Sequence, residues 1–440
     1  MTAAALHDSL HAAGVHTLLV QFTDLRGVAK GKLLPLHQLG TVLAEGAGFA
    51  GPSIEGTGLP RSGPRAEYWA RGDAATAQPL PWWPGVARIV GDGFVGGTPF
   101  DACPRQILRR ACARLAARGW HLQCGIEPEF FLLRRGAAGW EPADPLDRLD
   151  KPSYDLKALP RQADFLHALR AVLESCGLEV LQIDHEDACG QYELNVAHAE
   201  ALLAADRLML FKLAAHALAE ARGTVFSMMP KPFADQPGSG MHWHVSMWDG
   251  MHNLFAGADG ALSEPGRAFL AGVLAHAPAL TALGAPTVNS YKRLRVGPAR
   301  SGTSWAPAVI AHGAHNRSAL VRTLPDRFEW RLPDAAANPY LVTAGLIAAG
   351  LDGIERGLDP GPGIDEDLFE LAPATWRARG IAALPRSLDA AAAALEADAV
   401  IADALGATAH AELLRLQRAE AEAWAAHVSR WELDRYAAAF

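Results

Sequence analysis

Two glutamates one residue apart, Glu127 and Glu129, interrupt residues 125–132, a stretch otherwise apolar and aromatic enough for a buried strand. Successive side chains in a strand point to opposite faces, so the two carboxylates share one face while Ile126, Pro128, Phe130 and Leu132 share the other. Like charges that close are unfavourable unless something positive lies between them, and a divalent cation is the simplest candidate. Two later stretches repeat the pattern. In residues 241–247, His242, His244 and Ser246 oppose Met241, Trp243, Val245 and Met247. In residues 327–332, Arg327, Glu329 and Arg331 oppose Phe328, Trp330 and Leu332. Between the first two lies residues 184–193, which adds Glu186 and Glu193. Hard cations such as Mg2+ or Mn2+ favour carboxylate oxygen, and Mn2+ also accepts imidazole. Glu127, Glu129, Glu186, Glu193, His242 and Glu329 would make two such sites, with His244 equally a ligand or a core histidine.

Arginines follow: Arg293, Arg317, Arg322, Arg327 and Arg331, interleaved with apolar positions. Guanidinium forks match carboxylate and phosphate oxygens in bidentate fashion. Metal-binding glutamates beside oxyanion-binding arginines point to phosphoryl transfer from a metal-bound nucleotide to a carboxylate substrate. No P-loop or kinase-type glycine loop is present, and Gly238-Ser239-Gly240 alone reads as a tight turn.

The elements that must position these groups read as an α+β chain. A short helix over 2–13 precedes strands at 16–22 and 28–34 around a turn at 23–27. A helix over 37–45 leads into a loop-rich stretch, 46–84, and a strand returns at 86–91. A domain boundary falls at 96–100; Asp101 is expected to cap a helix running to 118, with Pro104 in its first turn. Beyond the strand at 125–132, helices are expected at 159–175, 202–223, 265–276, 385–406 and 408–428, with strands at 178–185 and 224–229. A buried helix should start near Pro339.

At 440 residues the chain is long enough for two domains. The net charge of -8 argues against a nucleic-acid partner. Five cysteines without a C-x-x-C pair suit a reducing cytoplasm. No signal-peptide pattern and no membrane-length apolar run is found.

The motifs taken together resemble the glutamine synthetase family: Glu127-Pro128-Glu129, Glu186 with Gly190-Gln191-Tyr192-Glu193, Lys231-Pro232, Gly238-Ser239-Gly240-Met241-His242-Trp243-His244, Asn289-Ser290-Tyr291-Lys292-Arg293-Leu294, Asn316-Arg317, residues 327–331 with Pro333-Asp334, and Asn338-Pro339-Tyr340. The resemblance runs in order through most of the chain. It implies a β-grasp N-terminal domain over 1–98, then a catalytic domain over 99–440 with a curved antiparallel sheet flanked by helices. It also implies a cytoplasmic dodecamer of two hexameric rings. Glu129, Glu186 and Glu193 would hold the metal nearer glutamate, and Glu127, His242 and Glu329 the metal nearer the nucleotide. Arg293, Arg331, Glu129 and Glu329 would act on the reacting groups. Gly238, Arg293, Arg331 and Trp305 would contact substrate, and Arg317, Arg322, Arg327 and Ser246 the nucleotide. ATP would phosphorylate the γ-carboxylate of glutamate, and a nitrogen nucleophile would displace the phosphate.

Departures from the family pattern bear on that nucleophile. Ala50 stands where the ammonium-binding Asp is expected, and Trp305 where the flap Glu is expected. Pro237 replaces the Asn before Gly-Ser-Gly, and Phe369 the Tyr that is adenylylated in some bacterial enzymes. A site without those anions holds ammonium poorly, whereas an aromatic suits an amine carrying carbon. The flap most resembles the γ-glutamylmethylamide synthetase branch, which implies a small alkylamine, methylamine first. The alternatives are a glutamate–ammonia ligase and a non-catalytic ring-forming relative, the latter to be marked by lost metal ligands.

Overall fold

Residues 2–137, 139–258, 260–295 and 299–440 are described by the computed structural model. The N-terminal sheet grows around Thr17–Thr23, whose Leu18, Val20 and Phe22 are buried. This strand pairs antiparallel with Ala29–Pro35 and parallel with Val86–Val95. Val86–Val95 pairs antiparallel with Glu67–Gly72, which carries Ala47–Ala50 at the edge. The turn expected at 23–27 forms: Asp24 Oδ1 accepts from the Val28 amide at 2.9 Å, and Gly27 takes the left-handed φ of +84°. The stretch read as loop, 46–84, instead contains three strands: Ala47–Ala50, Glu67–Gly72 and Gln78–Pro79. Tyr68 and Ala70 do alternate inward, but flanking Gly and Pro hide so short a period.

Helix Pro104–Ala116 opens the second unit. Its cap position is Cys103 rather than Asp101, because Pro104 occupies the first helical turn; Asp101 instead accepts from the Thr408 hydroxyl at 2.7 Å. Two long expected helices are broken. Residues 159–175 divide into Ala158–Arg161 and Ala163–Ser175 at Gln162, whose φ of -110° and ψ of 12° leave the helical region. Residues 385–406 divide at Asp398, whose carboxylate accepts from the Val400 and Ile401 amides and starts a new helix, Ala399–Leu405.

The second sheet has His121–Gly136 at its heart. Its main order is Val180–His185, Gln191–Val196, His121–Gly136, Met241–Asp249, Phe328–Trp330, Val321–Thr323 and His312–Ala314. The pairs along it are antiparallel except the last, which is parallel. One face is apolar, with Ile126, Met241, Trp243 and Trp330 buried. Phe130 meets Phe211 of helix Ala201–Glu220, and Trp243 Nε1 donates to Thr343 of helix Pro339–Glu355 at 3.1 Å. Each large side chain buried this way contributes about 1.5–3 kcal/mol, which leaves the opposite face able to carry charge.

Two seams bind the sheets together. Asn338 caps helix Pro339–Glu355 by accepting from the Tyr340 amide (3.1 Å), and its Nδ2 donates to the Asp24 carbonyl (3.0 Å) in the N-terminal turn. Arg105 donates to Asp206 (2.7 Å), Asp92 (2.8 Å) and Asp73 (3.0 Å), so one buried guanidinium joins both units. Burial works against Arg105 keeping its proton, but Asp206 and Asp92 hold its pKa far above the ordinary value.

Candidate active site

Strand register brings the charged side chains together. His242 is the cross-strand partner of Glu127, His244 of Glu329, and Glu193 of both Glu129 and Asp184. Alternation alone would place these groups on one face; pairing in register stacks them into a single row. They line a cleft of about 780 Å3 together with Arg317, Arg322, Arg327, Arg331 and Trp305. A narrow extension, lined by Glu129, Gly238, Arg293, Trp305 and Arg331, opens beside it.

Three groups of ligand atoms converge within 4.8 Å: Glu127, His242 and Glu329; Glu129, Glu193 and His242; and Asp184, Glu186 and Glu193. The first is the set expected for the nucleotide side. The second expected set, Glu129, Glu186 and Glu193, is divided between the other two groups, which share Glu193. Glu186 turns toward Asp184, and its Oε2 accepts from the Asp187 amide at 3.1 Å. His244 belongs to none of the three groups. Arg327 Nε donates to His244 Nδ1 at 3.2 Å, so the proton on that ring lies on Nε2, 3.2 Å from Glu127.

The electrostatics split the row in two. Burial, then the neighbouring Glu129 and Asp184, push Glu186 up to about 8. Burial, then Glu127, Glu186 and Glu129, push Glu193 well above the carboxylate range. Burial also raises Glu129, although Arg293 and the Gly240 amide oppose it. Glu329 behaves oppositely: burial would raise it, but the Arg331 charge and the hydrogen bond from Arg322 hold it far below the usual range. Burial and Arg331 keep His242 neutral, as a ligand imidazole must be. Crowded, desolvated carboxylates with one neutral imidazole are a donor set suited to hard divalent cations.

Arg327 and Arg331 stand two residues to either side of Glu329, and Arg322 is its cross-strand partner. Arg331 Nη1 donates to Glu329 Oε1, and Arg322 Nη1 donates to Glu329 Oε2 at 2.9 Å. Arg293 is fixed by the Leu332 and Arg331 carbonyls at 3.0 and 3.2 Å. Arg317 projects into the cleft and is exposed. Ser246 lies further along the same strand face, outside the lining of the cleft, where its hydroxyl accepts from Trp248 Nε1 at 2.9 Å.

Glycine is required behind the row. A β-carbon on Gly240 would lie 2.6 Å from His242 Nε2, 2.8 Å from Arg293 Nη2 and 2.9 Å from Glu129 Oε1. One on Gly238 would strike the Pro230 carbonyl and stand 3.2 Å from Arg293. Gln191 Nε2 donates to both Glu129 (3.0 Å) and the Gly238 carbonyl (3.1 Å), locking the turn to the ligand.

Two acidic residues in the cleft, Asp184 and Asp187, were not singled out from sequence. Asp184 lies two positions before Glu186, the same spacing that marked Glu127 and Glu129, so the signal was present. Asp187 is buried and accepts from Trp305 Nε1 at 2.8 Å and from the Ser153 hydroxyl. Only tertiary contact gives it a role.

The family model for the glutamine synthetase catalytic domain matches residues 101–436. A glutamate–methylamine ligase of Methyloversatilis universalis is 46% identical over 426 residues, covering 96% of each chain. A glutamine synthetase of Halobacterium salinarum is 39% identical over 98% of this chain and 96% of its own, and one of Rhizobium leguminosarum bv. phaseoli 38% over 94% and 95%. The solved structure of GmaS with ADP (conformation 1) superposes with a TM-score of 0.92 at 39% identity, covering 98% of this chain and 99% of that one. Ligand-free GmaS superposes at 0.89 and 38% identity, with the same coverage.

Proposed function

The chain belongs to the glutamine synthetase family, and from that premise we propose that it is an ATP-dependent ligase joining glutamate to a small alkylamine, methylamine first, through γ-glutamyl phosphate. One observation carries the choice of amine: 46% identity over nearly the whole length to a glutamate–methylamine ligase, against 38–39% to the glutamine synthetases named above. Trp305 at the mouth of the narrow pocket supplies the physical reason, since an indole offers a methyl group a surface that a carboxylate does not.

Glu129, Glu186 and Glu193, joined by Asp184, would hold one Mg2+ or Mn2+, and Glu127, His242 and Glu329 another. Bound there, divalent cations neutralise phosphate oxygens and make the γ-phosphorus a better electrophile. Arg317, Arg322 and Arg327 face the nucleotide phosphates. Arg331 and Arg293 clamp the glutamate carboxylate and the transferred phosphoryl group, adding positive charge where negative charge collects. Gly238 presents backbone to glutamate, and Ser246 serves the nucleotide side from beyond the cleft. The amine then attacks the acyl phosphate and phosphate leaves.

We also read residues 1–98 as a β-grasp domain and 99–440 as the catalytic domain. The parallel pairing of Thr17–Thr23 with Val86–Val95 beside an N-terminal hairpin supports the first. Among the described residues, none before Glu127 lines the cleft, which is compatible with a neighbouring subunit completing it in a cytoplasmic double-ring dodecamer. Among the described residues no single helix is long and apolar enough to cross a membrane.

The test is a panel of ammonia, methylamine, ethylamine and a polyamine with ATP, glutamate and Mg2+ or Mn2+, scored by amide product. Methylamine should give the highest kcat/KM. Faster turnover with ammonia than with every amine rules out the proposed acceptor.

A further inference from the structure

A second cavity, of about 310 Å3, lies away from the cleft, beside the Asn338 seam. Residues 25–28, residues 282–287, helix Pro339–Glu355 and helix Ala407–Ala425 line it. Its walls are mostly apolar, among them Leu25, Leu283, Pro286, Leu341, Leu413 and Leu416. The charged residues that line it, Arg26 and Glu420, are already paired. Arg26 Nη1 donates to Glu420 Oε2 at 3.1 Å, Arg26 Nε lies 3.1 Å from Glu55, and Glu420 Oε1 accepts from the Val288 amide at 3.0 Å. Gln417 differs from them. It is 3% exposed, and its Nε2 donates to the Ala282 carbonyl at 2.6 Å, which fixes the orientation of the amide. Its Oε1 is left buried with no partner, and no other buried side-chain polar atom among the described lining residues lacks one. Buried acceptors are nearly always satisfied, so an unpaired one beside a cavity marks where a donor belongs. The apolar walls give water few partners, and the volume lies at the small end of the range for ligand pockets.

We propose that this cavity binds a small uncharged molecule, an apolar body with one N–H or O–H donor for Gln417 Oε1, and that its occupancy tightens the binding of glutamate. A charged ligand finds no free counter-charge there, since Arg26 and Glu420 satisfy each other. The helix that carries Gln417 also holds the run of chain leading to the substrate clamp. It meets that run at the Ala282 carbonyl, at the Val288 amide and at Lys292, whose ammonium lies 4.1 Å from the centre of the Trp424 ring. Arg293 is the next residue. Asn289, in the same run, accepts from the Lys231 amide at 2.7 Å and donates to the Lys231 carbonyl at 3.1 Å, in the segment leading to Gly238. A ligand that fits the cavity favours this arrangement of helix and run, in which Arg293 is already seated on the Leu332 and Arg331 carbonyls. The effect on glutamate rests on the ligase reading above; the site itself does not.

Indole, apolar with a single N–H, is the probe, and benzothiophene, of similar shape without the donor, is its control. Calorimetry on the full-length protein should show saturable indole binding, about fivefold tighter than benzothiophene, the worth of one neutral hydrogen bond. Gln417→Met keeps the length but removes the acceptor, and should bind the two probes equally. Leu413→Trp, which fills the cavity, should bind neither. Saturating indole should lower the wild-type KM for glutamate about fivefold at unchanged kcat, and leave that of Leu413→Trp where it was. No saturable binding by wild type, as from a cavity that holds only water, overturns the proposal. So does equal binding of the two probes by wild type, indole binding that survives Leu413→Trp, or a KM for glutamate that indole does not move. Should Gln417→Met not fold, the two probes on wild type and Leu413→Trp decide. A wild type that forms no amide with any amine removes the ligase reading and the effect on glutamate with it; discrimination between the probes still decides the site.

Discussion

Replacing Glu186 with Gln should make the metal-free protein more stable while removing its activity. The carboxyl of Glu186 ionises near 8 in the folded chain, against an ordinary 4.5, because burial, Glu129 and Asp184 oppose its charge. Below pH 4.5 the folded and unfolded states both hold the proton, and the group is neutral to stability. Between 4.5 and 8 the unfolded state loses the proton and the folded state keeps it, so stability falls as pH rises. Above 8 the penalty is constant. At pH 7.5 the gap spans three pH units at about 1.4 kcal/mol each, giving about 4 kcal/mol, and at pH 5.5 one unit, giving only about 1 kcal/mol. Gln escapes this penalty and nearly matches the shape. Thermal unfolding in chelator at the two pH values, repeated with saturating Mg2+, is the assay. Glu186→Gln should unfold several degrees above wild type at pH 7.5 and close to it at pH 5.5. Mg2+ should cancel or reverse the advantage, because bound cation removes the repulsion only where the carboxylate remains. Equal stabilisation at both pH values, or none at pH 7.5, would refute the crowding of carboxylates on which the metal assignment depends.

His276 lies between Asp398 (2.6 Å) and Asp352 (3.0 Å), joining three helices. Burial lowers its pKa but the two aspartates more than compensate, so it is raised, while both aspartates are lowered. The imidazolium's contribution is complete below about 6.5 and fades as pH climbs through the raised folded value; the aspartates' is complete above about 3.8 and fades in acid. His276→Gln should therefore lower the Tm most near pH 5–6 and least near pH 9, which a pH series of melts will show. Arg331→Lys keeps one charge but loses the fork that serves Glu329 and Trp305, and kcat/KM should drop about a hundredfold with Tm changed little. Asn338→Ala removes both a helix cap and the tie to the Asp24 carbonyl, and should cost about 2 kcal/mol in denaturant melts with the metal site untouched.

Much of the site could be read from letters because its strands alternate strictly: Glu127 and Glu129, His242 and His244, and Glu329 and Arg331 each declare a face by spacing alone. Register could not be read that way. Glu193 lies opposite both Glu129 and Asp184, and only the pairing of separate strands shows that it belongs to both of their ligand groups. Asp187 was hidden for a similar reason, since its partner Trp305 is more than a hundred residues away. Local signals failed where two of them competed. Gly and Pro around Glu67–Gly72 outweighed a short alternation, Asp101 looked a better cap than Cys103 until Pro104 fixed the start, and Asp398 was absorbed into an alanine-rich run it in fact divides.

At Gly240 the partition between the ligand row and the structure behind it is one bare backbone thick, with an imidazole, a guanidinium and a carboxylate all resting against it. A side chain there would have to displace all three of those groups, so the rear of the site changes only at the expense of the ligand row. Diversification toward larger or smaller nucleophiles is thereby directed to the mouth, where Trp305 stands.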